Sequence, residues 1–327
     1  MSVSVIIATY NRAALLNECL HHLSRQRFEP GDEVIVVDNG STDDTSAVIQ
    51  RHQCLWIVPL RHVEEPMPGK SLALGRAIGC ASGDILALTD DDVTVDAGWL
   101  DAIRAAMAGG EVALVGGPVA PSWEGRAPRW LRVHRGSYGR LAAPLAILDY
   151  GTQASELGAR TAIGANLAVR RDVAAHVGGF APHLGKLRGT LLSGEDHDFC
   201  RRVQAAGFRA VYCPEARVHH FVPARRARVS YVLDWFFWSG ITNVALDATR
   251  RGTGRSIAGL PLYLVRRFIA ALALAPWAFV TGRFDAALDR AADAAFTTGY
   301  ASRAWGFINL QRQPTADPEE RPARGTV

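Results

Sequence analysis

The chain has 327 residues, 48% hydrophobic and 21% charged, with a net charge of +4: ordinary soluble-protein material with length for one large domain or two modest ones. Lys70 and Lys186 are the only lysines in an Arg-rich chain, and no Arg/aromatic stripe runs through its first two hundred residues, which argues against nucleic acid as a partner. The cysteines Cys19, Cys54, Cys80, Cys200 and Cys213 are scattered with no C-x-x-C pair, which argues against a structural zinc site and for reduced thiols in the cytoplasm.

In chain order, Val3-Ser4-Val5-Ile6-Ile7-Ala8 is a short apolar run without a basic leader, expected as a first strand and not a signal peptide. Further strands are predicted over 33–37, 55–58 and 84–88, and helices over 13–25, 43–50, 71–81 and 98–107. Apolar strands separated by helices predict a parallel sheet covered on both faces. Ligands of such sheets bind beyond the carboxyl ends of the strands. Three polar loops follow those ends, Thr9-Tyr10-Asn11-Arg12, Asp38-Asn39-Gly40-Ser41-Thr42-Asp43 and Asp90-Asp91-Asp92, and are expected to converge on one crevice.

Residues 117–155 carry Pro118, Pro121, Trp123, Pro128 and Trp130 with weak periodicity, the pattern of a loop-rich insertion that shapes a second site. A strand over 163–169 and a helix starting near Glu195 resume the α/β alternation. From Val229 the chain turns to helices rich in Trp, Phe, Ala and Arg. The apolar run 268–280 contains Pro276 and follows Arg266-Arg267; it falls below spanning length. It is expected to lie on a membrane surface, with packing on the core or a dimer partner as the equal alternative. The tail from Gln313 is expected to be disordered.

Three carboxylates at the end of a buried strand are costly unless a cation neutralises them. Hard oxygen ligands at this density suit Mg2+ or Mn2+ bridging to phosphate; a solvated turn is the bland alternative. A second cluster, Glu195-Asp196-His197-Asp198, opens a helix, where carboxylates serve as caps or as a general base. Gly69-Lys70-Ser71 starts another helix able to receive phosphate. Neither a P-loop nor a G-x-G-x-x-G fingerprint is present.

Taken in order, the first strand with Thr9-Tyr10-Asn11-Arg12, Val36-Val37-Asp38-Asn39-Gly40-Ser41-Thr42-Asp43, Leu88-Thr89-Asp90-Asp91-Asp92-Val93, Gly164-Ala165-Asn166-Leu167, Gly178-Gly179-Phe180 and Gly194-Glu195-Asp196 resemble the family 2 glycosyltransferases. The likeness covers about the first 220 residues. It implies a GT-A fold, a Rossmann-like, mostly parallel sheet flanked by helices, here with a C-terminal helical extension. It divides the chain into a nucleotide-sugar half (1–112), an acceptor and catalytic-base half (113–226), a helical region (227–312) and the tail (313–327).

The resemblance implies donor contacts at Thr9, Asn11, Arg12, Asp38, Gly40, Ser41, Lys70, Arg76, Asp90 and Asp91. It implies acceptor contacts at Asn166 and Glu195, and Asp196 as catalytic base. For the metal, Mn2+ or Mg2+, it implies Asp91 or Asp92, together with a histidine two dozen residues beyond Asp196, where His219 and His220 both stand. Where many relatives carry an Arg-Asn pair after the Lys70 loop, this chain has Leu74-Gly75, and no Gln-x-x-Arg-Trp occurs in its C-terminal third. The implied reaction is transfer of one sugar from a UDP-, dTDP- or GDP-linked donor to a glycan or lipid-linked glycan, with inversion. The protein is expected in the cytoplasm, with peripheral contact to the inner face of the membrane.

The chief rival is a phosphohydrolase of the haloacid dehalogenase type, since Asp90-Asp91-Asp92-Val93-Thr94 also fits D-x-D-x-T. It leaves Asp38-Asn39-Gly40-Ser41 without a task. A catalytically silent protein that binds a glycan or membrane through its Trp-rich regions is the second rival. A sugar-phosphate nucleotidyltransferase would need a Gly-rich basic loop where Ala8-Thr9-Tyr10-Asn11-Arg12 stands.

Overall fold

In the computed structural model, which describes residues 1–134, 137–249 and 255–308, strand β1 (Val3–Thr9) is buried on both faces from Val3 to Ile7. That is why it reads as a continuous apolar run and not as an alternation. It pairs in parallel with β2 (Glu33–Asp38) on one side and β4 (Ile85–Asp90) on the other. Helices α1 (Ala13–Leu23), α2 (Thr45–Gln53), α3 (Lys70–Cys80) and α4 (Trp99–Met107) make the crossovers and turn one apolar stripe each to the core. The expected tail 313–327 lies outside the described residues.

Strand β3 (Leu60–Glu64) is the parallel edge beside β2, not residues 55–58. Leu55 is 72% exposed and Ile57 fully so, while Trp56 packs on Phe28 with ring centroids 5.7 Å apart. The apolar letters of 55–58 belong to a connection, and the strand begins after Pro59, whose carbonyl accepts from the Val34 N–H.

Strands β5 (Val93–Val95), β6 (Val112–Gly116) and β7 (Val119–Trp123) follow, then the short pairs β8 (Val133–His134) and β9 (Ser137–Tyr138), a 3-10 turn (Arg140–Leu145) and β10 (Ser155–Glu156). Beyond them come β11 (Asn166–Arg170), α5 (Arg171–Val177), α6 (Glu195–Ala205), β12 (Arg209–Tyr212) and β13 (Val218–Val222). The main sheet is eight-stranded, in the order β10-β12-β6-β11-β4-β1-β2-β3, with β11 antiparallel to both neighbours. β11 starts three residues later than predicted because Ile163 to Asn166 form a turn, with the Asn166 N–H on the Ile163 carbonyl. A small sheet, β5-β13-β7, draws the insertion into the fold: β7 lies parallel to β13.

Helices α7 (Val229–Thr249), α8 (Leu262–Val280) and α9 (Phe284–Ala304) complete the chain, with the small strand pair β14 (Ser256–Ile257) and β15 (Leu260–Pro261) between α7 and α8. α7 and α9 touch backbone to backbone. A Cβ on Gly240 would sit 2.0 Å from the Phe296 carbonyl oxygen, and one on Gly299 would sit 1.9 Å from that of Phe237. α8 begins six residues before the apolar run read from sequence and continues through Pro276, so it has 19 residues. By length and composition it reaches spanning size, which corrects the expectation that it falls short.

Candidate active site

Parallel register aligns the strand ends: Thr9 lies opposite Asp38 and Ala8 opposite Asp90. The three polar loops therefore leave the sheet on one edge, as their spacing predicted. The 3-10 turn, the 181–193 segment, α6, β13 and α7 close over this edge and leave a cavity of about 720 Å³.

The three aspartates differ in surroundings. Asp90 Oδ1 accepts from Lys70 Nζ at 2.5 Å. Asp91 is buried with both oxygens engaged, Oδ2 by Thr9 Oγ1 at 2.8 Å and Oδ1 by Arg12 Nη1 at 3.0 Å. Asp92 takes Arg12 Nη1 on Oδ2 at 2.9 Å, but its Oδ1 is buried without a hydrogen bond and lies 3.4 Å from His220 Nε2. Burial pushes the Asp91 carboxyl up against the pull of Arg12. Burial acts on Asp92 in the same sense, but His220, Arg12 and Arg226 hold it well below the usual carboxylate range. Burial would lower the Lys70 ammonium, and the charges of Asp90 and Glu195 more than offset it, so its pKa rises.

Alternation along β13 separates the two histidines. His219 is half-exposed and meets Asp96 at 3.0 Å, while His220 is buried, lines the cavity and has an unbonded Nδ1. Asp92 Oδ1 and His220 Nε2 are donor atoms of the kind a divalent cation takes, though Nε2 also meets Arg226 and the unbonded ring nitrogen is Nδ1. Among the described residues no group of three or more His, Cys, Asp or Glu side chains could hold a metal alone.

On the opposite wall Asp196 Oδ2 accepts from the Gly164 N–H at 2.9 Å and Oδ1 from the His197 N–H at 2.7 Å. Glu195 is buried beside it. Burial, with the Asp196 charge, raises the Glu195 carboxyl to about 7 against the pull of Lys70.

Not every residue expected at the site reaches the cavity. Thr9, Arg12, Lys70, Asp90, Asp91, Asp92, Glu195, Asp196 and His220 line it. Asn11, Asp38, Gly40 and Ser41 form a bonded loop pair beside it. The Asn11 N–H donates to Ser41 Oγ at 3.0 Å and the Ser41 N–H to Asp38 Oδ1 at 2.8 Å. Arg76 stands exposed on α3, on the side turned from the sheet, and is not brought to the cavity. Asn166 is spent on structure: Nδ2 donates to the carbonyls of Pro118 and Ala216, and Oδ1 accepts from Trp99 Nε1.

Sequence reasoning passed over Tyr10, Arg188 and Arg226, which also line the cavity. The Arg188 guanidinium lies 4.0 Å from the Tyr10 ring centroid and donates to the Asn39 carbonyl at 2.8 Å. Arg226 reaches His220 Nε2 at 3.2 Å. No spacing rule announces either arginine in an Arg-rich chain. Lys186, conspicuous as the second lysine and as a candidate for a later motif of the haloacid dehalogenase rival, lines the cavity too.

A GT-A sheet with carboxylates on both walls of a cavity at its carboxyl edge defines a glycosyltransferase. The chain belongs to family 2 of these enzymes, whose model, Glycosyl transferase family 2, matches residues 4–178. It is 27% identical over 251 residues to the glucosyl-dolichyl phosphate glucuronosyltransferase of Haloferax volcanii, covering 76% of this chain and 78% of the relative. It is 30% identical over 253 residues to the succinoglycan biosynthesis protein ExoM of Rhizobium meliloti, covering 76% of each. In fold it is similar to the mannosyltransferase PcManGT from Pyrobaculum calidifontis, solved in complex with GDP-Man and Mn2+. The TM-score is 0.54 at 22% identity, over 93% of this chain and 87% of that one. These likenesses favour glycosyl transfer over the haloacid dehalogenase reading.

Proposed function

We infer that the protein moves one sugar from a UDP-, dTDP- or GDP-linked donor to a hydroxyl of a glycan or lipid-linked glycan, inverting the anomeric carbon. The observation that carries this reading is that Lys70 and Asp196 flank Gly164 across the cavity. A Cβ there would lie 3.6 Å from Lys70 Nζ and 3.9 Å from Asp196 Oδ2, so an ammonium and a carboxylate stand within reach of the same point of the cavity.

In this reading residues 1–112 hold the donor, residues 113–226 supply the base and acceptor side, and 227–312 add the far wall through Tyr231, Trp235, Ser239 and Asn243. Asp196, its orientation fixed by two backbone N–H groups, takes the proton of the acceptor hydroxyl as that oxygen attacks the anomeric carbon. The bond from the anomeric carbon to the diphosphate breaks, and its electron pair leaves on the phosphate oxygen. Lys70 faces the charge that grows there, an interaction that counts because it strengthens in the transition state. A divalent cation, Mn2+ or Mg2+, held by Asp92 and His220, would supply Lewis-acid neutralisation of the same diphosphate.

The apolar residues around the acceptor side, among them Pro144, Ile147, Leu148 and Trp235, support an acceptor with a lipid portion. So does the dolichyl phosphate in the name of the Haloferax relative. The missing Gln-x-x-Arg-Trp supports single transfer over polymerisation. The test is a panel of nucleotide sugars assayed for protection against thermal unfolding and then for turnover with polyprenyl-linked acceptors. Asp196→Asn should keep donor protection and lose turnover; full turnover in that variant defeats the assignment of the base.

A further inference from the structure

Helix α8 is held to the protein by one narrow seam. Leu264, Ala271 and Ala278, spaced seven apart, are its buried residues, and Arg267 adds an ion pair to the buried Asp293 of α9 at 3.0 Å. The far side repeats at i, i+3, i+4, i+7, i+8 and i+11 as Ile269, Leu272, Ala273, Pro276, Trp277 and Val280, every one exposed. A helix on a water-facing surface carries polar residues on that stripe. Here Ile269 and Leu272 are each 61% exposed and Val280 84%, and Phe279 and Phe284 extend the patch at the C-terminal end. An apolar patch of this kind marks an interaction surface.

Charge selects the partner. From Arg255 to Phe284 the chain contains no Asp or Glu, while Arg255, Arg266, Arg267 and Arg283 fall within it, and all four are exposed. A second copy docked through this face would set arginines of one helix against arginines of the other, whether the helices ran parallel or antiparallel, because an isologous contact reuses the same patch. An anionic bilayer answers both features at once. Acyl chains take Ile269, Leu272 and Val280, Trp277 sits at the headgroup level, and the arginines at both ends meet lipid phosphates.

The packing also distinguishes lying from spanning. For α8 to cross a bilayer it would have to peel from α9, expose its seam and break the Arg267 contact to Asp293. α9 cannot follow, because Gly299 fixes it against α7.

We propose that α8 docks the enzyme on an anionic membrane surface, lying in the interface with the 269–280 stripe immersed. This does not depend on the donor or acceptor assigned above.

The test is co-sedimentation of the full chain with vesicles of phosphatidylglycerol mixed into phosphatidylcholine, against vesicles of phosphatidylcholine alone. The expected result is binding to the anionic vesicles that falls at least about tenfold without phosphatidylglycerol and weakens with salt. The double variant I269S/W277S, with an unchanged unfolding midpoint, should bind at least about tenfold more weakly. R266E/R283E should bind phosphatidylcholine as the wild type does and lose its preference for phosphatidylglycerol. Equal binding by wild type and I269S/W277S overturns the proposal. So does a solution dimer that dissociates in that variant, which would give the stripe to a second copy. Resistance of the cellular protein to alkaline carbonate extraction, the mark of a spanning helix, overturns it as well.

Discussion

The only two lysines of the chain meet at the start of α3, where the backbone N–H of Lys70 donates to the carbonyl of Lys186 at 3.1 Å and both residues line the cavity. In a chain that otherwise uses Arg, this joins the two lysines through their backbones, and the Lys70 ammonium, a compact point charge, goes to Asp90. A guanidinium fork needs more room and a planar partner. Lys70→Met is expected to lower kcat/KM for the donor by about 10²- to 10³-fold, the scale of losing one electrostatic stabiliser, and Lys70→Arg is expected not to restore it. Lys186→Met should act mainly on donor KM. Steady-state kinetics with a fixed acceptor measure both, and an unchanged kcat/KM in Lys70→Met would remove its ammonium from the reaction.

The unequal surroundings of Asp91 and Asp92 predict different failures. Asp91→Ala strips a buried acceptor from Thr9 and Arg12, leaving the guanidinium only Asp92, so it should cost about 1–3 kcal/mol of stability. Asp92→Asn removes the charge that Arg12, His220 and Arg226 hold ionised, so it should also lower stability, and in addition lose the gain in nucleotide affinity that Mn2+ confers. Urea unfolding and calorimetric titration with and without Mn2+ separate the two. An equal loss of metal dependence in Asp91→Asn would put the metal on Asp91.

Glu195 predicts a pH effect. Its carboxyl is raised from 4.5 to about 7, so below pH 4.5 it is protonated in folded and unfolded chains alike and costs nothing. Between pH 4.5 and 7 the unfolded chain ionises while the folded one resists, and stability falls by up to about 3 kcal/mol. Glu195→Gln should flatten that decline and be the more stable protein at pH 8. Unfolding free energies across this window test it, and parallel curves for the two proteins would refute the raised carboxyl.

Gly299 tests the helical region. Its Cβ position lies 1.9 Å from the Phe237 carbonyl oxygen, so Gly299→Ala has to push α9 off α7, at a cost above the roughly 1–3 kcal/mol of ordinary overpacking. A drop in melting temperature with lost turnover is expected; a wild-type midpoint would mean that the two helices yield.

The carboxyl edge of the sheet was legible because its strands are buried on both faces and end in loops that only parallel register can gather, as Thr9 beside Asp38 demonstrates. Within the aspartate triplet the sequence is mute, since three identical residues carry no direction; the side chain that meets Arg12 and Thr9 is decided by packing. His219 and His220 were a tie in sequence; strand alternation turns His220 to the cavity and leaves His219 half-exposed. Asn166 was an acceptor contact implied by the resemblance, yet its side chain ties together Pro118, Ala216 and Trp99. The 55–58 run misled because apolar, β-branched letters fit a surface connection packed on Phe28 as well as they fit a strand.

On the acceptor side proposed above, the glycine contact between α7 and α9 bears on what fits. Backbone lies on backbone at Gly240 and Gly299, with no side chain between that could change rotamer, so the wall bearing Trp235, Ser239 and Asn243 has no slack. A bulkier acceptor must find its room elsewhere, through movement of the 3-10 turn at Arg140–Leu145 or of the 181–193 segment. Variants that broaden acceptor choice should therefore collect in those two stretches and spare the helices.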